Sequence, residues 1–253
     1  DGPRANETEV AEMASAIERF ARTETIEADD DTRRLTEARI SELQAEAGHW
    51  LETHSRFLAS ARPLPDPAER RGDPELAADL KAWLRTHGLW DIEDLFSRTF
   101  VSNPSSGEIV KGHRVALAEL GLANYAGTVV RDPATFEGRW TRELRIEHIV
   151  TRLAFVRALF ERLGLRTVTV WRGASIEGRL EDRRGRTFVS TTFDEAVARS
   201  HHRSGPTRWT HVLIRGDVPV DRLFATYHET AAMNANFLEA EAVLLARTRD
   251  GWP

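Results

Sequence analysis

Three short stretches in the last third of the chain carry residues whose types suit chemistry on a phosphate-bearing sugar. Arg172 follows the apolar run VTVW, Ser190 and Thr191 lie in TFVSTTF, and one alanine separates Glu239 from Glu241 in FLEAEAVLL. An arginine fork binds phosphate, hydroxyls bond to a ribose, and carboxylates stabilise positive charge that develops on a substrate. Taken together and in this order, these residues predict a site for an anionic dinucleotide.

Each stretch also has an ordinary structural explanation. Arg172, which precedes Gly173, could form a surface ion pair at a strand end, and the two hydroxyl residues could serve a strand or a helix cap. Alternation along a strand would place Glu239 and Glu241 on one face. Two like charges at the start of a buried strand are costly unless a cation or a reacting group uses them, whereas at an open edge they are simply solvated.

The elements that must position these residues are strands preceded by helices. Apolar residues at helical spacing predict helices in residues 1–60, from Pro74 onward, in 108–120 and in 142–163. Asp194 is placed to cap a short helix after the second stretch. Helices first and strands later predict an α+β fold. The strands are predicted at TVTVW (167–171), RTFVSTT (186–192), WTHVLIRG (209–216), VDRLFATY (220–227) and EAEAVLLA (239–246).

A proline-rich stretch divides the chain. RPLPDPAERRGDP, residues 62–74, contains four prolines in thirteen residues, a composition typical of a linker. We therefore predict an N-terminal helical module in residues 1–62, a linker in 63–74 and a catalytic domain in 75–253. The alternative, in which the first helices are an extension packed on the main domain, stays open.

Composition excludes several classes of protein. The 253 residues include 35 basic and 40 acidic side chains, for a net charge of −5, and no cysteine. This balance disfavours a purely electrostatic partner such as nucleic acid, and the absence of cysteine rules out disulfides and cysteine-ligated zinc.

No apolar run reaches the roughly 18 residues of a membrane span. The chain begins DGPRANETEV, without Met or an apolar run, so it does not begin with an intact signal peptide. Its location, and whether it is a piece of a longer protein, stay open. The histidines His201, His202, His211 and His228 lack metal-site spacing, so no metal is predicted.

The three stretches resemble the signature of the arginine-serine-glutamate class of mono-ADP-ribosyltransferases. That family has an aromatic-Arg-Gly strand, a Ser-Thr-Ser strand and a Glu-x-Glu or Gln-x-Glu strand, in this order. Here they read WRG, STT and EAE, with Trp171 where tyrosine is common and Thr192 in place of the last serine. The resemblance covers residues 165–247. It implies NAD as co-substrate and a mixed, largely antiparallel β-sandwich with flanking helices.

The resemblance also implies roles for individual residues. Glu241 would be the catalytic carboxylate, facing the oxocarbenium-like sugar that forms when nicotinamide leaves. Arg172 would bind the phosphate or ribose of NAD, and Gly173 would offer its backbone to the nicotinamide amide. Ser190 would hold Glu241 in register, and Thr191 beside it would contribute a hydroxyl to the cofactor site.

Further residues concern the acceptor and the phosphates. In the family, a glutamate two residues before the catalytic one accompanies arginine as acceptor, so Glu239 predicts an arginine-bearing protein or peptide as partner. A carboxylate there can orient and deprotonate a guanidinium. Phe237, in the loop HETAAMNANF, is the predicted acceptor contact. In HHRSGPTRW, either Arg203 or Arg208 would contact phosphate, and the choice between them stays open.

These residues predict an NAD-dependent mono-ADP-ribosyltransferase that modifies arginine and releases nicotinamide. One alternative keeps NAD but changes the acceptor to water, nucleic acid or a small molecule. A further alternative is a non-catalytic interaction module with the same fold. The resemblance fits a toxin, an effector or a biosynthetic tailoring enzyme equally well.

Overall fold

The computed structural model describes residues 21–102, 107–130, 140–177, 187–202, 206, 209–235 and 237–246. These ranges form an α+β fold, as the sequence predicts, and the pairings between their strands are antiparallel. The helices are α1 (Asp30–His54), α2 (Arg56–Ala59), α3 (Pro74–Thr86), α4 (Trp90–Ser102), α5 (Glu108–Glu119), α6 (Arg142–Arg162) and α7 (Glu195–His202). The strands are β1 (Ala21–Ile26), β2 (Tyr125–Val130), β3 (Thr167–Ile176), β4 (Phe188–Thr192), β5 (Thr210–Pro219), β6 (Leu223–Thr226) and β7 (Glu241–Leu245). Among the described helices, none combines the length and the apolar character needed to cross a bilayer.

Local signals set the ends of the helices. The side chain of Thr141 accepts a hydrogen bond from the backbone of Leu144 at 3.2 Å and so caps the start of α6. The helix ends before Gly164, whose φ of 72° reverses the chain in a conformation that glycine adopts readily. Asp194 caps α7 as predicted, because its carboxylate accepts from the Ala196 backbone at 2.8 Å.

Within the described residues, the main sheet contains five strands in the order β5-β3-β4-β7-β6. Strand β3 pairs with β5 along its whole length, from Thr167 opposite Pro219 to Ile176 opposite Thr210. Its pairing with β4 is a single pair, Trp171 opposite Thr192. Strands β3 and β4 therefore part on one side of Trp171, and the gap between them opens a cleft.

The structure differs from the predicted elements in several places, among them β3 and β5, which extend to Ile176 and Pro219. Strand β1 pairs with β2 in a separate two-stranded sheet that the periodicity did not predict. The predicted strand 220–227 begins instead with the 3₁₀ turn Val220–Arg222. The last strand begins at Glu241 and excludes Glu239. The helix predicted before residue 21 lies outside the described residues.

Helix α1 is joined to the rest of the chain through one apolar core. Its fully buried residues Ile40 and Leu51 belong to the same cluster as Leu153 of α6 and Phe224 of β6. Such a shared core is what an extension packed on the main domain requires, and it favours that alternative. The division of the chain into a separate module and a catalytic domain remains a prediction.

The proline-rich stretch lies against the loop that follows β6. The hydroxyl of Tyr227 donates to the Pro65 carbonyl at 3.2 Å, and the backbone of Asp73 donates to the His228 carbonyl at 3.1 Å. Gly72 passes so close that a Cβ there would lie 2.0 Å from the carbonyl oxygen of Tyr227. In the same stretch, the Nε of Arg70 lies 2.7 Å from a carboxylate oxygen of Asp194. This stretch is thus packed against the loop after β6 and the start of α7.

A buried polar network holds the start of the same loop. Arg152 of α6 donates from Nε to Glu93 at 2.9 Å and from Nη2 to the Thr230 hydroxyl at 2.7 Å. Glu229 accepts from the backbone of Thr226 at 2.8 Å and lies 3.5 Å from the Arg152 guanidinium. Because buried charges persist only when paired and hydrogen-bonded, this network anchors residues 226–230 to the helical core.

Candidate active site

A cleft of about 240 Å³ opens where β3 and β4 part. Residues of strand β3, the end of β4, helix α7 and the segment around the start of β7 line it. The residues that line it are Trp171, Arg172, Gly173, Ser190, Thr191, Thr192, Val197, Ala198, His201, Glu239 and Glu241.

Hydrogen bonds connect the arginine, the serine and one glutamate of the three sequence motifs. Arg172 donates from Nη1 to the backbone carbonyl of Ser190. The Ser190 hydroxyl in turn donates to Oε1 of Glu241. Strand β7 pairs with β4 so that Ser190 lies opposite Val243, two residues along from Glu241. Residues far apart in the sequence are therefore brought to one point in the cleft.

The carboxylate of Glu241 is partly buried, and its surroundings act on its charge in opposite directions. Burial raises the pKa of Glu241, the hydrogen bond from Ser190 lowers it in part, and the nearby charge of Glu239 raises it. Burial and Glu239 therefore disfavour the ionised form of Glu241, whereas the hydrogen bond from Ser190 favours it. An ionised carboxylate in such a place is suited to stabilise a transient cation.

Glu239 reaches the cleft by a route that the sequence did not predict. It precedes β7, and Ala240 between the two glutamates has φ of 46°, a left-handed conformation that costs a residue with a side chain about 1–2 kcal/mol. The expectation that strand alternation aligns the two carboxylates is therefore wrong. The Thr192 hydroxyl donates to the Glu239 carbonyl at 2.5 Å, and the Phe193 backbone donates to the Ala240 carbonyl at 3.0 Å. The end of β4 thus holds this turn.

Two residues predicted to bind the cofactor, Thr191 and Gly173, also have structural roles. The hydroxyl of Thr191 donates to the backbone carbonyl of Ala242 at 2.7 Å, across the β4–β7 pair. A Cβ on Gly173 would lie 1.8 Å from the carbonyl oxygen of Ala198. The missing side chain of Gly173 therefore lets helix α7 approach β3, and this contact brings the helix to the edge of the cleft. Their contacts with NAD stay predictions.

The predicted site residues leave out two polar side chains of the cleft, Thr192 and His201, although Thr192 belongs to the STT motif. Thr192 lies two positions after Ser190 and so shares its face of β4, a signal that alternation offered. His201, on the last turn of α7, has its Nε2 at 3.1 Å from Oε1 of Glu239. The sequence predicts no metal at His201 and places this residue in the segment HHRSGPTRW, expected near the phosphates, but no local pattern predicts its contact with Glu239.

The remaining predicted residues lie at the rim or beyond it. Phe237 is 57% exposed, in the segment that leads to Glu239, and it does not line the cleft as described. Arg203 and Arg208 fall outside the described residues. In the part of the chain that the structure covers, no group of three or more histidine or carboxylate side chains is arranged to hold a metal ion.

Comparison of the chain with protein families, with curated proteins and with solved structures finds no match. The function of the cleft must therefore be inferred from its residues.

Proposed function

We propose that this protein is an NAD-dependent mono-ADP-ribosyltransferase that transfers ADP-ribose to arginine of a protein or peptide and releases nicotinamide. The observation that carries the proposal is the connected series Arg172, Ser190 and Glu241 in one cleft. Its order in the sequence and its residue types are those of the family that the motifs resemble.

The bond to be broken joins the nicotinamide nitrogen to the ribose of NAD. Nicotinamide leaves as a neutral base with the electron pair of that bond, and the sugar becomes an oxocarbenium-like cation. The carboxylate of Glu241 is the negative group of this series and is partly buried, and a fixed charge in such a place stabilises such a cation well. Ser190 fixes the position of the carboxylate, and Arg172 supplies a guanidinium for the phosphate or ribose.

The arginine acceptor completes the reaction. A guanidino nitrogen attacks the sugar cation and must lose a proton, which Glu239 is placed to accept at the mouth of the cleft, where its side chain is 38% exposed. The proton transfer makes the attacking nitrogen neutral as the new bond forms. Without an acceptor, water takes the same position and gives free ADP-ribose.

The shape of the sheet supports the finer fold assignment that belongs to this proposal. An antiparallel sheet whose central strands part around Arg172 is compatible with an ADP-ribosyltransferase-like sandwich. The cleft of about 240 Å³ is smaller than the roughly 300–1,000 Å³ of a site that encloses a drug-sized ligand. The described walls therefore suit the reacting end of a dinucleotide, with the remainder extending beyond them.

The proposal is tested by incubating the purified protein with NAD, with and without the small guanidine agmatine and an arginine-rich protein. We expect release of nicotinamide and an ADP-ribose adduct on a guanidino nitrogen, located by mass spectrometry. Free ADP-ribose without any adduct would indicate a glycohydrolase, and an adduct on nucleic acid would change the acceptor. A folded protein that consumes no NAD would be a non-catalytic module, and the proposal would fail.

A further inference from the structure

The side chain of Glu239, the residue proposed to receive the acceptor, is in contact with a histidine. Nε2 of His201 lies 3.1 Å from Oε1 of Glu239, and the two side chains are 51% and 38% exposed. The pair thus lies at the open edge of the cleft, where an acceptor must enter. The contact depends on Gly173, whose missing side chain lets α7 lie against β3.

The backbone around Glu239 is held independently of this contact. Its carbonyl accepts from Thr192 at 2.5 Å, and the left-handed Ala240 sets the direction of the chain before β7. His201 therefore acts on the carboxylate of Glu239, while β4 holds the backbone. Changing His201 should alter what the carboxylate binds without moving the turn.

A protonated imidazole resembles the acceptor in the features that Glu239 would recognise. Both imidazolium and guanidinium are planar, delocalised cations that donate N–H groups to a carboxylate. A charge-assisted hydrogen bond is also about twice as strong as a neutral one. Protonated His201 would therefore compete with an incoming guanidinium for the same oxygen atoms, and neutral His201 would compete much less.

We propose that His201 is a specificity-determining residue of the acceptor subsite, which occupies Glu239 when protonated and yields it to a guanidinium when neutral. This inference rests on the proposed function, since it concerns the acceptor of that reaction. Protonation of His201 then makes the transfer to arginine depend on pH, and it leaves the cleavage of NAD unaffected.

The other charged and titratable groups around α7 can be separated from this effect. Among the described residues they are Glu241 and Arg172 in the cleft, His202 and His211, whose rings lie against each other, the Asp194–Arg70 pair at the helix start, and the Glu195–Arg199 pair on the exposed side of the helix. Glu241 and Arg172 act on NAD cleavage, with or without an acceptor. Competition by His201 acts only on the Michaelis constant for the acceptor.

The test measures ADP-ribosyl-agmatine formation and acceptor-free nicotinamide release by the full chain between pH 5 and 8, the range in which histidines change charge. In the wild type we expect KM for agmatine to fall about two- to fivefold as the pH rises, the effect of one exposed ion pair. His201→Asn and His201→Gln should show a low KM that does not change with pH, at an unchanged kcat. The exposed His49→Asn should keep the wild-type profile.

The outcomes separate this inference from the proposed function. If the wild type forms no ADP-ribosyl-agmatine at any pH, the arginine transfer itself is refuted. If it forms the product but both His201 variants keep its pH profile, only the role of His201 is refuted. A KM that rises at every pH in the variants would mean that His201 assists acceptor binding, and this also overturns the competition.

Discussion

Glu241 is the residue on which the proposed chemistry depends most directly. Its carboxylate is partly buried and accepts a hydrogen bond from the Ser190 hydroxyl. Burial raises the pKa of Glu241, and the hydrogen bond from Ser190 opposes that rise. A glutamine of nearly the same shape would keep the packing and lose the charge. The substitution therefore separates a catalytic role from a structural one.

We expect Glu241→Gln to lose both ADP-ribosyl transfer and NAD hydrolysis while its unfolding temperature stays near that of the wild type. Losing one such electrostatic contact is worth on the order of 3–4 kcal/mol, or a hundredfold or more in rate. Nicotinamide release measures the loss, and the exposed Glu46→Gln on α1 serves as the control. Turnover near the wild-type level in a folded Glu241→Gln protein would remove this residue from the reaction.

Glu239→Gln should divide the two activities. Glutamine cannot accept the proton of a guanidinium, so transfer to agmatine should fall about a hundredfold or more, the usual contribution of a general base. Hydrolysis without acceptor should persist, because Glu241 is intact. The substitution also removes a charge that raises the pKa of Glu241, so hydrolysis should extend to lower pH. Equal loss of hydrolysis in the Glu239 and Glu241 variants would contradict the division of labour.

At the scale of elements, the approach of helix α7 to strand β3 shapes the cleft. Gly173 faces the backbone of the helix, where a Cβ would meet the Ala198 carbonyl oxygen at 1.8 Å and the His202 nitrogen at 2.7 Å. Backbone atoms cannot rotate away as a flexible side chain can. A methyl group at Gly173 must therefore displace the helix and, with it, His201.

We expect Gly173→Ala to destabilise the fold by about 1–3 kcal/mol, as overpacking does, and to impair both activities. Gly88→Ala is the comparison, because open space surrounds Gly88 and only its φ of 69° opposes the change, at about 1–2 kcal/mol. Thermal unfolding and nicotinamide release report on both variants. Equal activity of the two variants per folded molecule would contradict the role of α7 in shaping the cleft.

At the scale of the whole molecule, the shared core decides whether the first sixty residues are separable. Removing residues 1–65 deletes Ile40, Leu43, Leu51 and Phe57, which are at most 2% exposed. Losing a single such side chain usually costs about 2–5 kcal/mol, and a whole domain is stable by only about 5–15 kcal/mol. We expect a chain that starts at Asp66 to show no cooperative unfolding transition by circular dichroism. A separate N-terminal module predicts the reverse, a folded truncated chain that still releases nicotinamide.

Acid stability is also a property of the whole molecule, because buried histidines must charge on unfolding. Burial lowers the pKa of His228 to about 3 and the pKa of His113 well below its ordinary value. Burial would raise the pKa of Glu93, but Arg152 and His148 outweigh it and lower that pKa. In all three cases the unfolded chain binds a proton more readily than the native one. Stability is therefore present at neutral pH and declines on acidification.

We expect the free energy of unfolding to fall below about pH 6.5, where the unfolded histidines begin to protonate, by up to about 1.4 kcal/mol per pH unit for each of His113 and His228. The decrease from Glu93 should add below about pH 4.5, its ordinary value. Denaturant titrations at several pH values measure the slope. His228→Phe should reduce the slope of the unfolding free energy with pH by the contribution of one proton. The exposed His49→Gln should leave this slope unchanged. An unfolding free energy that stays constant from pH 7 to 5 would show that these histidines bind protons as readily in the native state as in the unfolded chain.

The sequence by itself determined the elements whose signals are local. Helix α6 was predicted over 142–163 and spans Arg142–Arg162, because its apolar repeat and closing glycine lie within the segment. Strands β3 and β4 followed from alternation of β-branched residues in TVTVW and FVSTT. The motif order also predicted that Arg172, Ser190 and Glu241 would meet, and they line one cleft.

The tertiary structure alone decided the features that depend on contacts between distant segments. Strand β1 has little apolar alternation and forms because β2 pairs with it. The turn at Ala240 has a conformation that no alanine predicts, and the end of β4 holds it through Thr192 and Phe193. His201 meets Glu239 across 38 residues only because helix α7 packs on Gly173. Periodicity encodes which face of an element is apolar, but the neighbour of each side chain depends on how the elements pack.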